Sequence, residues 1–204
     1  MSGDPSRTPS GPLPDLVLAS TSVYRRVLLE RLGVPFRCRA PLCDETVLEG
    51  EGSNATKLAE RLAYAKADSL VPGEPGAAII GCDQVVSFEG QVFGKPLTAA
   101  RAVDQLGAMA GRSHELITAL VVIQGERTDR HTDVTTLWMR PLSRASIERY
   151  IDADQPLDCA GSYKLESHGI VLFERIESHD HTAITGLPLI ALVSILRELG
   201  FAIP

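Results

Sequence analysis

The chain has 204 residues, of which 44% are hydrophobic and 23% charged, and its formal net charge is −6 at pH 7. This length and apolar content are typical of a globular protein with a buried core and exclude a largely disordered chain. The negative charge gives no support to a bulk electrostatic grip on nucleic acid, so an anionic ligand would need cations gathered locally.

The first fourteen residues are rich in Pro, Gly and Ser, which predicts a disordered tail (1–14) ahead of a single domain (15–204). This tail lacks the apolar core of a secretion signal, and the longest apolar runs are too short to span a bilayer. The four cysteines show no CxxC pairing, so neither a zinc site nor a disulfide framework is predicted. We therefore expect a cytoplasmic protein with no membrane or nucleic-acid partner.

Strands and helices interleave along the chain, as the hydrophobic periodicity indicates. The elements predicted in the first part are a strand at 16–20, a helix at 21–33, a strand at 35–41, an acidic loop at 43–46 and a helix at 53–70. A strand then ends at Asp83, and a hairpin turns at 89–90. The later elements are a helix at 98–111, paired strands at 115–123 and 131–140, a helix at 142–153, a strand at 169–177 and a closing helix at 186–200. This order predicts a mixed α/β sheet with helices.

The first junction between strand and helix could bind an anion. Ser20, Thr21 and Ser22 crowd the start of the helix, and Arg25 follows them. Unpaired N–H groups and the helix dipole favour negative charge there. Ordinary capping with a surface arginine explains the same residues equally well.

Two lysines could add positive charge to such a site. Lys66 falls on the apolar edge of its helix, where it either extends to solvent or points into a cleft. Lys95 follows the predicted hairpin in a Gly-Lys-Pro sequence. With Arg25, these lysines would offset the charge of a polyphosphate.

Two carboxylates could hold a hard divalent cation, which prefers oxygen ligands. Glu45 lies in the acidic loop, and Asp83 stands at the predicted strand end, where open α/β sheets tend to bind ligands. Either acid could instead cap a turn. Together with the cations, they indicate phosphate-ester or anhydride chemistry.

Four segments resemble the Maf family of nucleoside triphosphate pyrophosphatases, also called septum-formation inhibitors. The segments are LVLASTSVYRRVLLERLGVPF, DET, GCDQVVSFEGQVFGKPLT and PLDCAGSYKLESHGIVLFERIESHDHTAITGLPLIAL. The resemblance implies a fold related to the inosine-triphosphate pyrophosphatases, with two lobes around a cleft, and a homodimer. It implies hydrolysis of a nucleoside triphosphate to the monophosphate and pyrophosphate with a divalent metal cation (Mg²⁺, Mn²⁺ or Co²⁺).

The resemblance also implies a role for individual residues. Asp83 would be the proton acceptor, and Glu45 and Asp83 would hold the metal. The implied phosphate-binding residues are Ser20, Arg25, Lys66 and Lys95.

The sequence resembles the branch of the family that acts on 7-methyl-GTP at three positions, Tyr24, Gln84 and Glu166. N7-methylation makes guanine cationic, so an aromatic face such as Tyr24 would attract it. Guanine presents two donors, N1–H and the N2 amino group, and a carboxylate such as Glu166 accepts twice. In the alternative interpretation, Tyr24 belongs to the core and Glu166 is a surface acid.

Two positions depart from the family pattern: Val23 stands where proline is usual, and Thr182 where asparagine is usual. The segment His179-Asp180-His181 could bind a transition metal, although a solvated loop is the preferred interpretation. Two other functions stay open. One is a dTTP/UTP pyrophosphatase of the same fold, and the other is a cell-division regulatory protein with incidental catalysis.

Overall fold

The structure is a computed structural model that describes residues 15–45 and 54–203. The predicted tail (1–14) lies outside the described residues. Within them, no helix is both long enough and apolar enough to cross a membrane.

The described residues form strands and helices in the predicted order. The strands are β1 (Leu16–Ala19), β2 (Arg37–Arg39), β3 (Ala78–Phe88), β4 (Gln91–Phe93), β5 (Ser113–Gln124), β6 (Arg127–Met139) and β7 (Phe173–Glu177). The α-helices are α1 (Val23–Glu30), α2 (Ala55–Asp68), α3 (Ala99–Met109), α4 (Arg144–Asp154), α5 (His181–Ile184) and α6 (Leu189–Glu198). Short 3₁₀ turns occur at Val71–Gly73, Ala160–Ser162 and His168–Leu172.

The strands form one sheet in the order β2-β1-β3-β5-β6-β7, and β4 pairs with β3. The pairs β1–β2 and β1–β3 are parallel, and the other pairs are antiparallel. The predicted mixed α/β class is therefore confirmed.

One edge of β3 is open over a short stretch. Pairing with β1 extends to Ile80, and pairing with β4 begins at Val86. Residues 81–85 between them pair with β5 on the other side. This gap opens where β1 ends and the chain turns into α1, so the first strand-to-helix junction lies beside it.

The prediction that a strand ends at Asp83 is wrong. Asp83 lies in the middle of β3, opposite Ala119 of β5. The apolar residues that follow, Val85 and Val86, continue the strand because both are buried. The crevice in the sheet comes from the end of β1, not from the end of β3.

Helices cover both faces of the sheet. Adjacent residues of a strand point to opposite faces, and accordingly Ile79 packs in the cluster that contains α2, whereas Ile80 packs in the cluster that contains α1 and α6. Asp83 shares the face of Ile79, and Gln84 shares the face of Ile80. The gap in the sheet therefore gives access to side chains on both faces of β3.

The predicted strand at 169–177 is partly wrong, because its first half forms a 3₁₀ turn and β7 begins at Phe173. Gly169 packs so closely that an added Cβ would lie 2.4 Å from the carbonyl oxygen of Lys164. Ile170 and Val171 are exposed in this turn. An apolar run of this length does not by itself distinguish a strand from a turn.

Gly81 sets how closely α2 approaches β3. A Cβ at this position would lie 2.1 Å from the carbonyl oxygen of Ala63 and 2.8 Å from the amide nitrogen of Ala67. Both contacts are with helix backbone, which cannot move without shifting the helix. Glycine is therefore required here by close packing.

We predict that Gly81→Ala lowers the free energy of unfolding by about 3 kcal/mol or more, because α2 must move away from the sheet. Gly107→Ala is the control, since its Cβ meets nothing within 4 Å in α3, and we expect it to stabilise by about 0.5–1 kcal/mol. Urea unfolding of both variants measures this difference. Equal effects of the two substitutions would contradict the packing argument.

His114 is a buried imidazole in a cluster of aromatic rings. Its Nε2 lies 3.0 Å from the hydroxyl of Tyr163, and its ring lies against Phe173. Its Nδ1 is buried and has no hydrogen-bond partner among the described residues. Burial lowers the pKa of His114 to about 4 from 6.5, so the folded protein keeps this ring neutral.

This shift predicts a pH-dependent contribution to stability. Between pH 6.5 and about 4 the unfolded chain binds a proton at His114 and the folded protein does not, so stability falls as pH falls through this window. The contribution amounts to about 3 kcal/mol at most. Unfolding of His114→Phe should depend less on pH over this range. Identical pH profiles for the variant and the parent protein would refute the assignment.

Candidate active site

A cleft of about 1190 Å³ opens at the gap in the sheet. Its walls come from the start of α1, one face of α2, the centre of β3, the loop after β4, and the segments 158–166 and 184–186. Every site residue predicted from the sequence lies in its lining: Ser20, Tyr24, Arg25, Glu45, Lys66, Asp83, Gln84, Lys95 and Glu166.

Lys66 and Asp83 form a buried ion pair in the cleft. The Lys66 Nζ lies 2.5 Å from Asp83 Oδ1 and 3.1 Å from Glu45 Oε2. Lys66 and Asp83 are only 6% and 7% exposed, so Lys66 points into the cleft and does not extend to solvent. Burial has the largest single effect on the pKa of Lys66 and lowers it, as does Arg25. The charge and the hydrogen bond of Asp83, together with the charge of Glu45, nevertheless raise this pKa overall. Lys66 therefore stays charged.

The two carboxylates provide part of a binding site for a hard cation. The described residues contain no group of three His, Cys, Asp or Glu side chains able to hold a metal ion. However, Lys66 contacts only one oxygen of Asp83 and one of Glu45, so the second oxygen of each carboxylate is left for a cation. Mg²⁺ commonly uses one or two carboxylates and completes its shell with water and phosphate oxygens. The side chains present fit such a cation.

Arg25 is held at the start of α1 by two contacts. Its Nε donates to the carbonyl oxygen of Gly186 (2.9 Å), and its Nη1 donates to Ser20 Oγ (3.4 Å). Gly186 has φ of +107°, and an added Cβ would lie 3.3 Å from the Arg25 Nε. The Gly186 carbonyl also accepts from Cys82 Sγ, and burial raises the pKa of this thiol to about 11. Arg25 is thus fixed in the cleft and is not a free surface arginine.

Serine residues at this junction serve the helix as well. Ser22 caps α1, because its Oγ accepts from the backbone N–H of Arg25. Ser20 is buried and its Oγ accepts from the backbone N–H of Ser22. The capping interpretation therefore holds for Ser22, and it leaves Ser20 and Arg25 in place for an anion site, which stays a prediction.

Lys95 lies on the rim of the cleft and is exposed. It follows β4, whose pairing with β3 closes the far side of the gap. The next loop is tied to the opposite wall, because the N–H of Leu97 donates to the carbonyl oxygen of Leu157 (3.1 Å).

Tyr24 and Glu166 line the part of the cleft formed by α1 and the segment 158–166. Tyr24 is 37% exposed, so its ring is not packed into the core. Desolvation in the cleft raises the pKa of Tyr24, and the charge of Glu166 adds to this effect. Desolvation also raises the pKa of Glu166. The two side chains are close enough to interact electrostatically.

Gln84 occupies the cleft from the face of β3 opposite to Asp83. Its amide nitrogen donates to Thr118 Oγ1 (2.9 Å) and to the carbonyl oxygens of Ala183 (2.9 Å) and Ile184 (3.1 Å). These partners were not predicted from the sequence. The signal available in the sequence was that Thr118 is the one hydroxyl residue in the apolar run of β5, which indicates a polar partner nearby.

Asp180 is buried, so the solvated-loop prediction is wrong at this residue, although His179 and His181 are exposed. Asp180 Oδ1 accepts from the backbone N–H and the hydroxyl of Thr182, and Oδ2 accepts from the N–H of Ile190. Thr182 Oγ1 in turn accepts from Leu189 N–H. These contacts bind α5 to the start of α6 and leave Asp180 with a structural role.

The family model described as "Maf-like protein" matches residues 15–199. Similar curated proteins include two that are named 7-methyl-GTP pyrophosphatase and are each 50% identical to this chain. The one from Bdellovibrio bacteriovorus matches over 92% of this chain and 98% of its own length. The one from Xanthomonas oryzae pv. oryzae matches over 94% and 100%. A protein of the same name from Bordetella avium is 48% identical over 92% and 94%.

Two solved structures are more distant. A HAM1 protein from Coxiella burnetii has 14% identity and a TM-score of 0.49, covering 91% of this chain and 99% of its own. A nucleoside-triphosphatase / dITP/XTP pyrophosphatase from Mycobacterium abscessus has 15% identity and a TM-score of 0.41, covering 63% and 75%. These similarities are too low to support a functional argument.

Proposed function

Because the chain belongs to the Maf-like protein family, we propose that it is a hydrolase acting on acid anhydrides. It converts a nucleoside triphosphate, preferentially 7-methyl-GTP, to the nucleoside monophosphate and pyrophosphate. The observation that carries this proposal is the cleft, in which a buried carboxylate paired with a lysine shares one lining with further cations, an aromatic ring and a second acid. The names of relatives at about half identity support the same substrate.

Asp83 acts as the proton acceptor for the attacking water. Lys66 occupies its Oδ1, so Oδ2 orients the water and takes its proton, and a cation held by Glu45 and Asp83 would share this oxygen. The water oxygen forms a bond to the α-phosphorus as the bond from that phosphorus to the bridging oxygen breaks, and pyrophosphate leaves with the electron pair. Lys66 keeps Asp83 in place during this step.

The cations of the cleft bind the phosphates. Arg25, fixed by Gly186, and Ser20 offer donors at the start of α1, where the helix dipole adds to their effect. Lys95 reaches in from the rim. Stabilising the charge that develops on the departing pyrophosphate lowers the barrier.

Glu45 and Asp83 are the residues that would hold a divalent cation (Mg²⁺, Mn²⁺ or Co²⁺). When bound, such a cation neutralises phosphate charge and favours ionisation of water. Lys66 lies between the same two carboxylates, so it limits how much negative charge they present to the cation.

The base is recognised at the other end of the cleft. Tyr24 offers a π-face to the cationic 7-methylguanine ring, and Glu166 accepts from its N1–H and N2 amino groups. Gln84 reaches the cleft from the opposite face of β3. The uncharged guanine of GTP would gain less from Tyr24 and Glu166.

We propose further that the protein is a cytoplasmic homodimer and that residues 15–204 act as one domain. Exposed apolar residues on the two helices that cover one face of the sheet, Val23 and Val27 on α1 and Ile190 on α6, support a contact between two copies. We expect sedimentation velocity to give twice the mass of the chain. A single monomeric species at micromolar concentration would contradict the dimer.

We predict that Asp83→Asn lowers kcat for pyrophosphate release by about 100- to 10,000-fold, because an amide does not accept the proton from water. Asp104→Asn, on the exposed side of α3, is the control and should keep full activity. The assay compares 7-methyl-GTP, GTP, dTTP, UTP and ITP with Mg²⁺ or Mn²⁺.

The same assay separates the alternatives. Preference for dTTP or UTP would keep the reaction and overturn the assignment of the base. If a folded protein supplied with metal released no pyrophosphate from any nucleotide, the regulatory function would replace the enzymatic one.

Glu166→Gln should reduce the preference for 7-methyl-GTP over GTP by about tenfold, because it removes the negative charge beside the cationic base. The parent protein should lose the same preference as pH falls through the pKa of Glu166, which lies above its ordinary 4.5. The ratio of kcat/KM for the two nucleotides, measured against pH, tests this. A variant with an unchanged ratio would exclude Glu166 from base recognition.

A further inference from the structure

The amide of Gln84 has both of its protons in use. Its nitrogen lies within hydrogen-bond distance of three acceptors: Thr118 Oγ1, the Ala183 carbonyl and the Ile184 carbonyl. An amide has two N–H donors and one carbonyl acceptor. Two donors shared among three acceptors leave the nitrogen nothing to offer a ligand, so the carbonyl oxygen Oε1 is the group that Gln84 retains for the cleft.

Together with the carbonyls of Ala183 and Ile184, Thr118 sets the direction of this arrangement. It lies directly opposite Gln84 in the β3–β5 ladder and is 1% exposed. Its hydroxyl proton is donated to the Ala183 carbonyl at 3.0 Å, so its lone pairs face the Gln84 nitrogen. Turning the amide over would place Oε1 against the carbonyl oxygens of Ala183 and Ile184, which are acceptors as well. One orientation of Gln84 is therefore strongly favoured.

We propose that Thr118 is a positioning residue that fixes Gln84 as a hydrogen-bond acceptor for the nucleotide base. This inference rests on the proposed function and deepens it. A fixed acceptor suits guanine, whose N2 amino group has a second N–H beyond the N1–H and N2–H that Glu166 accepts. Uracil and thymine have a single donor, N3–H, and Gln84 offers no donor to their exocyclic oxygens. Gln84 is half-buried, and recognition by a polar group that is held in one orientation favours the base with matching donors.

The test compares Thr118→Val, which keeps the shape and removes the hydroxyl, with Thr118→Ser, which restores it. We expect Thr118→Val to raise KM for 7-methyl-GTP about tenfold with kcat within about threefold, and to lower the preference over dTTP by the same factor. Thr118→Ser should recover the parent values. Thr132→Val removes a hydroxyl that bonds to Glu60 and is the control, with unchanged kinetics.

A folded Thr118→Val protein with unchanged KM and preference would overturn the proposal, as would an effect confined to kcat. A second measurement does not depend on the variant or on activity. In NMR spectra of the parent protein, the side-chain amide protons of Gln84 should exchange with solvent far more slowly than those of the exposed Gln91. Equal exchange rates would also overturn it.

The two proposals can fail separately. If the parent protein hydrolyses no nucleotide but the Gln84 amide is protected, the proposed function fails and the arrangement of Thr118 and Gln84 stands. If the parent protein prefers 7-methyl-GTP and Thr118→Val behaves identically, only the role of Thr118 is refuted.

Discussion

The buried ion pair between Lys66 on α2 and Asp83 on β3 is the contact on which the cleft depends. Burying two charges costs several kcal/mol per ion, so the pair is retained only with close geometry. Gly81 supplies that geometry, since its missing side chain lets the backbone at Ala63 and Ala67 lie directly on β3. Lys66 lies between those two alanines and reaches the carboxylate two residues further along the same face of the strand. The close approach of α2 to β3 therefore determines both the packing at Gly81 and the ion pair at Asp83.

The gap in the sheet explains why side chains from opposite faces of β3 reach the same cleft. A residue within a fully paired central strand is covered on both faces by packed helices, but the stretch 81–85 of β3 has an open edge. Asp83 reaches the cleft from the α2 face and Gln84 from the α5 face. The end of α5 and the turn after it connect the two ends of the site, because the carbonyls of Ala183 and Ile184 hold Gln84 and the carbonyl of Gly186 holds Arg25. A disturbance of this turn should therefore affect both base recognition and phosphate binding.

Much of this arrangement could be predicted from the sequence, but not its geometry. Periodicity predicted β1, α1, α2 and the β5–β6 pair because each has a regular apolar pattern. It failed at Asp83, since a carboxylate inside an apolar run suggests an end to the strand, and only the partner Lys66, 17 residues earlier, makes the interior position stable. The role of Asp180 was missed for a similar reason: two of its three donors are the backbone N–H groups of Thr182 and Ile190, which leave no pattern in the side chains. The residues expected in the site were found together because the resemblance to a family carried information about contacts that are distant in sequence.

In the proposed reaction, water held at Asp83 attacks the α-phosphorus. Hydrolysis of 7-methyl-GTP in ¹⁸O-labelled water under single-turnover conditions, with mass spectrometry of both products, tests it most directly. We expect one labelled oxygen in the nucleoside monophosphate and none in pyrophosphate. Label in the pyrophosphate would mean attack on the β-phosphorus and would contradict the position assigned to Asp83.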